Sequence, residues 1–215
     1  LKHSGVKMKQ QRKQPGGPWN KGQKLPPEPL TDEECQALIK ACSRRAPTGI
    51  RNAALIAVLW RGGVRISEAL ALKPKELNVP QGTLRVLHGK GDKYRLVGLD
   101  PDAMAILLRW LDKRKSLGIT GHKSIFCTLN GGPVSDRYVR AMLKRMADRA
   151  GIEKRVHPHG LRHTHAFELA NEGFPVHEIQ QQLGHSSVAT TNTYISHLAP
   201  AERVARMQQR RMGGN

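Results

Sequence analysis

The densest run of chemically capable side chains in this 215-residue sequence is HPHGLRHTH, residues 157–165. Two chemistries suit it. His159 and His163 are four apart and can share a helix face as metal ligands. However, there is no HExxH, and no cysteine or carboxylate cluster completes a ligand set. His159 and Arg162 are three apart and neighbour each other near a helix N-terminus, where free N–H groups and the helix dipole favour an anion. Arginine adds a planar fork for phosphate oxygens that lysine lacks. The anion reading is the stronger. Other positions, taken by themselves, read more plainly. Arg65 stands three residues before Glu68, which also suits a simple helical ion pair. Lys90 and Lys93 lie in the turn GKGDK, where lysines are commonly just solvated. Tyr194 taken alone reads as a half-buried amphipathic residue near a helix end.

The elements that must position these residues are mostly helical. Thr31 and Glu34 form a capping box ahead of Leu38 and Ile39, so a helix opens at Thr31. A second, apolar helix is expected over Asn52 to Trp60, stopped by Gly62 and Gly63, with a short third over Ile66 to Leu72. TLRVLHGKGDKYRLVGL reads as a β-hairpin turning at Gly89–Asp92. Asp100 and Pro101 open a helix that Gly118 closes, and Ser135 caps another that ends at Gly151. A short strand is expected between them, over Ser124 to Thr128. The final third is expected to be helical over Leu161 to Glu172, Val176 to Leu183, Val188 to Tyr194, and from Pro200 onward. The fold class is therefore α+β, mainly α, with a small antiparallel sheet. Residues 30–215 make one domain, preceded by a basic, glycine- and proline-rich arm over 1–29.

Charge narrows the partner. Thirty-six Lys and Arg against 17 Asp and Glu leave a formal charge of +19, which points to a phosphate-rich partner. Aromatics are only 4%, too few for base-stacking platforms, so a DNA duplex backbone is the better match. No apolar run approaches the roughly 20 residues that span a bilayer, and residues 1–13 lack a signal-peptide core. Cys35, Cys42 and Cys127 have no metal-ligand spacing and their odd number makes a poor disulfide framework. Reduced thiols in a cytoplasmic protein are expected.

HPHGLRHTHAF followed by LGHSSVATTNTYISH resembles the C-terminal signature of the tyrosine recombinases, the phage integrase and Xer family. GGVRISEALAL resembles the family's first arginine box and HGKGDKYRLVGL its catalytic hairpin, in the family's order. The intervals from His159 to Arg162, Arg162 to His185 and His185 to Tyr194 (3, 23 and 9) match the family pattern. Gly98 stands where a proline is usual, and His165 where an apolar residue is common. The family's helical core-binding domain is not recognisable ahead of Thr31, and the chain opens on Leu1. An excised catalytic fragment, or the shorter single-domain kind, is expected.

The resemblance implies a reaction: Tyr194 attacks a DNA phosphodiester, giving a 3′-phosphotyrosyl intermediate and a free 5′-hydroxyl. A tyrosine pKa of about 10 leaves roughly one part in a thousand as phenolate at neutral pH, a cost of about 4 kcal/mol. By resemblance Arg65, Arg162 and His185 stabilise charge on the non-bridging oxygens, and His159 assists proton removal from Tyr194. Glu68 braces the active-site side chains. Lys90 protonates the leaving oxygen, with Lys93 as its rival. No metal or nucleotide cofactor is implied, since the phosphotyrosyl bond keeps the energy for religation. Lys93, Lys144 and Arg145 are candidate DNA-backbone contacts; for the two on the helix before Gly151, a solvated face is the alternative. The segment from Pro200 packs on its own body or docks on a neighbouring subunit, giving self-association on DNA. A type IB topoisomerase uses a similar residue set, and a catalytically dead DNA-binding protein is the other competitor.

Lys90 and Lys93 can be told apart by chemistry. The leaving alkoxide's conjugate acid is about as weak as water, ~15.7, whereas a thiol has a pKa of about 8.5 and leaves without a proton. Lys90→Ala should therefore cleave normal DNA slowly and recover on a substrate with sulfur at the bridging 5′ position. Recovery by Lys93→Ala in its place would move the acid to Lys93.

Overall fold

The structure is a computed structural model that describes residues 28–87, 94–121 and 123–184, together with Gln208. Among these residues the element order is α1 (Asp32–Lys40), α2 (Pro47–Arg61), α3 (Ile66–Ala71), β1 (Leu77–Asn78), β2 (Thr83–Leu87), β3 (Tyr94–Gly98), α4 (Pro101–Ser116), α5 (Asp136–Ala150), α6 (Pro158–Asn171) and α7 (Val176–Leu183). A mainly helical α+β architecture with one small antiparallel sheet is what the sequence led us to expect. The expected elements at Val188 to Tyr194 and beyond Pro200, the hairpin turn and the arm up to residue 27 lie outside the described residues.

Capping residues account for most helix starts. Thr31 Oγ1 accepts from the Glu34 N–H at 3.2 Å while Glu34 Oε2 accepts from the Thr31 N–H at 2.7 Å. Asp100 Oδ1 and Ser135 Oγ accept from Ala103 N–H and Tyr138 N–H, at 2.9 and 3.1 Å. Two starts come earlier than the apolar periodicity shows. α2 begins at Pro47 rather than Asn52, and α6 at Pro158 rather than Leu161, each with a proline in its first turn. Proline there has no N–H to leave unsatisfied and a φ already suited to a helix.

The core is built around α2, which is buried along most of its length from Gly49 to Trp60. It packs against α1, α4 and α6. The sheet runs β1-β2-β3, with Leu84 opposite Val97 and Val86 opposite Arg95. Leu84, Val86 and Val97 are buried, while Leu87, Tyr94 and Leu96 are exposed on the other face. β1 is a correction to the expected two-stranded hairpin; its two residues are too few to show alternation. A second correction concerns Ser124 to Thr128, which forms only an isolated bridge from Cys127 to Pro133. Its backbone is satisfied from elsewhere: Trp110 Nε1 donates to Ile125 O at 2.8 Å, and Ile125 N donates to Leu72 O at 2.7 Å. The three cysteines are free and buried. No helix among the described residues is long and apolar enough to cross a membrane.

α2 ends in a turn that needs glycine. Gly63 has φ +57°, and a Cβ there would lie 2.6 Å from His165 Cδ2 of α6 and 2.8 Å from Leu183 Cδ2 of α7. Gly151, with φ +68°, has nothing within 4 Å of its Cβ position. Backbone strain alone should make Gly151→Ala cost about 1–2 kcal/mol, while Gly63→Ala adds overpacking and should cost about 2–5 kcal/mol in urea denaturation. Equal losses at the two sites would show that α6 and α7 do not close on Gly63.

A polar cluster ties the same end of α2 to its neighbours. Arg61 donates to Asp100 Oδ2 at 2.7 Å and to Glu168 Oε2 at 3.0 Å, and Trp60 Nε1 donates to Glu168 Oε1 at 2.8 Å. Burial, helped by Asp32 and Glu172, outweighs Trp60 and Arg61 and pushes the Glu168 carboxyl up to about 7. The folded protein then holds a proton that the unfolded chain releases near 4.5, so this group's contribution is intact below about pH 4.5 and is lost as pH rises toward 7. Glu168→Gln keeps an acceptor for Trp60 and cannot ionise. Its stability relative to wild type should therefore rise from pH 5 to pH 8 in denaturant titrations; a constant difference would refute the assignment.

Candidate active site

Arg65 follows the Gly62–Gly63 turn and occupies the N-cap of α3. Glu68, one turn on, holds it twice: Oε2 accepts from the Arg65 backbone N–H at 2.7 Å, and Oε1 from Nη1 at 2.9 Å. The Glu68 side chain is 9% exposed and the Arg65 side chain 45%, so a largely buried acid holds an accessible arginine. The ion pair proposed as the plainer reading of Arg65 is thus present. Arg65 Nη2 also donates to Gly184 O at 3.3 Å, at the end of α7.

Arg162 is 3% exposed and donates from Nη1 to Gly63 O at 2.6 Å. The arginine of α6 therefore braces the turn that carries the other arginine. His159 stands exposed in the first turn of the same helix. Partial desolvation of the ring lowers its pKa, and the positive charges of Arg162 and Arg65 lower it further, so all three groups share one electrostatic neighbourhood. His157 caps α6 by accepting from the Gly160 N–H at 2.7 Å, and its ring stacks on that of His159 with centroids 6.5 Å apart. His163, by contrast, is 1% exposed in the body of the protein. The two histidines of the metal reading are thus split between surface and core, and among the described residues no group of three or more metal-ligating side chains forms.

Arg95 was not singled out from the sequence. From β3 it donates to both Glu68 oxygens, Nη1 to Oε1 at 2.9 Å and Nη2 to Oε2 at 2.8 Å. Burial alone would raise the Glu68 pKa, but the hydrogen bonds and charge of Arg95, together with Arg65, hold it down at about 2. A usable signal was present: strand alternation puts Arg95 on the same face as buried Val97, and a core-facing cation demands a carboxylate.

Lys144 and Arg145 lie exposed on α5, Arg145 with its guanidinium 6.0 Å from the Tyr138 ring centre. Lys90, Lys93, His185 and Tyr194 lie outside the described residues. What the structure brings together is Arg65, Glu68, His159 and Arg162, with the strand leading from the hairpin and the helix leading to His185 converging on them. Two guanidinium groups and an imidazole beside a helix N-terminus suit the oxygens of a phosphodiester.

The sequence profile of the phage integrase family matches residues 28–200. Tyrosine recombinase XerC of Xanthomonas axonopodis pv. citri is 36% identical over 189 residues, covering 86% of this chain and 60% of that protein. Tyrosine recombinase XerD of Ralstonia nicotianae is 37% identical over 175 residues, covering 80% and 56%. The crystal structure of XerA recombinase superposes with a TM-score of 0.75 at 32% identity, over 86% of this chain and 66% of that one. XerH recombinase bound to a palindromic difH substrate gives a TM-score of 0.71 at 29% identity, over 85% and 52%. The chain spans less than two thirds of the length of the curated relatives it matches. With its motif segments in family order, a recombinase-like architecture and a profile match from 28 to 200, the chain belongs to the phage integrase family.

Proposed function

We propose that this chain is the catalytic part of a site-specific DNA recombinase that breaks and rejoins strands through a 3′-phosphotyrosyl intermediate. The observation that carries the reading is the convergence of Arg65, Arg162 and the end of α7. Arg162 holds Gly63 O, and Arg65 reaches Gly184 O, the residue before His185. Segments far apart in sequence, each part of a different motif, are thereby brought into contact, which supports a shared site for a phosphate.

In this reading Arg65 and Arg162 clamp the non-bridging oxygens and His185 adds a hydrogen bond to them. Tyr194 is the nucleophile. His159, its pKa lowered by partial desolvation and the two arginine charges, is a neutral base near pH 7 that can accept the tyrosine proton. Glu68 braces Arg65. Lys90 delivers a proton to the departing 5′-oxygen. The substrate is duplex DNA, supported by the +19 charge and by the difH complex of the similar XerH. Lys93, Lys144 and Arg145 are assigned to its backbone. Exchange between two duplexes requires more than one active site, so we also assign self-association on DNA, with the segment from Pro200 as the candidate contact. The chemistry requires no cofactor, because the covalent intermediate conserves the bond energy.

The test uses a pool of nicked duplexes of randomised sequence. Wild-type protein should form SDS-stable, protease-sensitive DNA adducts, whose sequencing reports the preferred site. Tyr194→Phe should bind DNA nearly as well and form none. Arg65→Lys and Arg162→Lys keep the charge but lose the fork, and should each slow adduct formation by about 10²–10³. Adducts from Tyr194→Phe would move the nucleophile. Cleavage within a few-fold of wild type by both arginine variants would overturn the clamp.

A further inference from the structure

Two side chains cross the seam between β3 and the last turn of α7, one from each side. Arg95 leaves β3 with Nε donating to Gln182 O at 3.1 Å while its other two nitrogens hold Glu68. Gln182 leaves α7 in the opposite direction. Its Oε1 accepts from the Gly98 N–H at 3.0 Å and its Nε2 donates to Gly98 O at 3.0 Å. The side-chain amide thus pairs with the last residue of β3 much as the peptide of an adjoining strand would. Gln182 Nε2 also lies 3.5 Å from His165 Nε2. Burial holds His165 down to about pKa 3, so its ring is neutral and one nitrogen is free to accept.

α7 needs such a strap. It has eight residues, too few for an isolated helix to persist, and buries only Ile179 and Leu183. Two apolar anchors hold a helix against a surface but resist rolling poorly. The end of α7 is shaped for the crossing arginine: Gly184 has φ +70°, and a Cβ there would stand 2.8 Å from Arg95 Cδ and Nε. Both positions at which the sequence departs from the family pattern, Gly98 and His165, meet at Gln182. A proline at 98 would have no N–H to donate.

We propose that Arg95 and Gln182 are positioning residues that strap the C-terminal turn of α7 to β3 and thereby fix the end of the helix from which the chain continues into His185. This rests on the reading of His185 as a hydrogen-bond donor to the phosphate. Such a donor acts only where its supporting shell holds it to within about 0.5 Å. Arg95 also shares Glu68 with Arg65, so one carboxylate references the clamp arginine and the end of α7 to each other.

The test uses the whole chain. Gln182→Met keeps length and helix propensity but cannot pair with Gly98. On a nicked duplex selected from the wild-type adducts, its adduct rate at saturating DNA should fall about tenfold, with the half-saturating DNA concentration changed less than twofold. In a His185→Ala background the same substitution should cost less than twofold, because the group it positions is gone. In the free protein, hydrogen exchange at the Gly98 amide should accelerate about tenfold. Arg95→Lys, which keeps one charge for Glu68 but cannot make all three bonds, should also lose rate with little change in half-saturation. Equal losses in both His185 backgrounds would reduce the strap to fold support and overturn the proposal, as would an unchanged Gln182→Met rate. Unchanged exchange at Gly98 would show that no strap exists. A wild-type chain that forms no adduct on any duplex would overturn the function assigned above and the positioning role with it, while the exchange rates would still report whether the strap is real.

Discussion

One buried carboxylate organises this end of the molecule. Glu68 accepts from the Arg65 backbone and side chain and from two nitrogens of Arg95. A carboxylate taken out of water is expensive unless every lone pair finds a donor, and two arginines supply what is needed. Removing either partner would strand a buried charge, so the three residues stand or fall together. Geometry follows from that constraint. α3 begins where it does because Glu68 caps it, β3 is held because Arg95 cannot leave, and Arg65 is aimed outward because its inner face is already committed.

The second constraint is steric. The turn after α2 has room for no side chain at Gly63, since His165 and Leu183 already occupy that space. Its carbonyl is then free to accept from Arg162. Close approach and hydrogen bond are two aspects of one contact. It lets α6 pass near enough to α2 for Arg162 to hold the turn that leads to Arg65. The Arg61, Asp100 and Glu168 cluster ties down the same corner by joining α2, α4 and α6.

Charge is distributed to match. The protein carries +19, yet the acids Asp100, Glu168 and Glu68 are spent inside, pairing with Arg61, Arg65 and Arg95. Those pairs serve architecture. Lys144 and Arg145 remain exposed on α5. His159 shows the same field acting on a neighbour: partial desolvation, and then the charges of Arg162 and Arg65, disfavour its protonated form.

Much of this was written in local sequence. The capping box at Thr31, the Asp100–Pro101 and Ser135 starts, the glycine stops and the period-two pattern around Val97 are decided by neighbours a few residues away. Local rules suffice for them. The motif segments holding Arg65, Glu68, His159 and Arg162 were legible through their resemblance to the tyrosine recombinases, while helix geometry accounts only for the three-residue spacing within each pair. Prolines at Pro47 and Pro158 moved two helix starts, a local effect masked by the lack of apolar residues beside them. The two-residue β1 and the lone bridge at Cys127 depended on distant backbone partners, so no local pattern announced them. Only the tertiary structure decided which acid would meet Arg95, which side chain would fill the space over Gly63, and that Gln182 would complete the edge of β3. Each is a contact between residues tens of positions apart. Sequence dictates that a buried cation must find an anion and that a strand edge must find donors and acceptors. Which partner is within reach is a property of the folded chain.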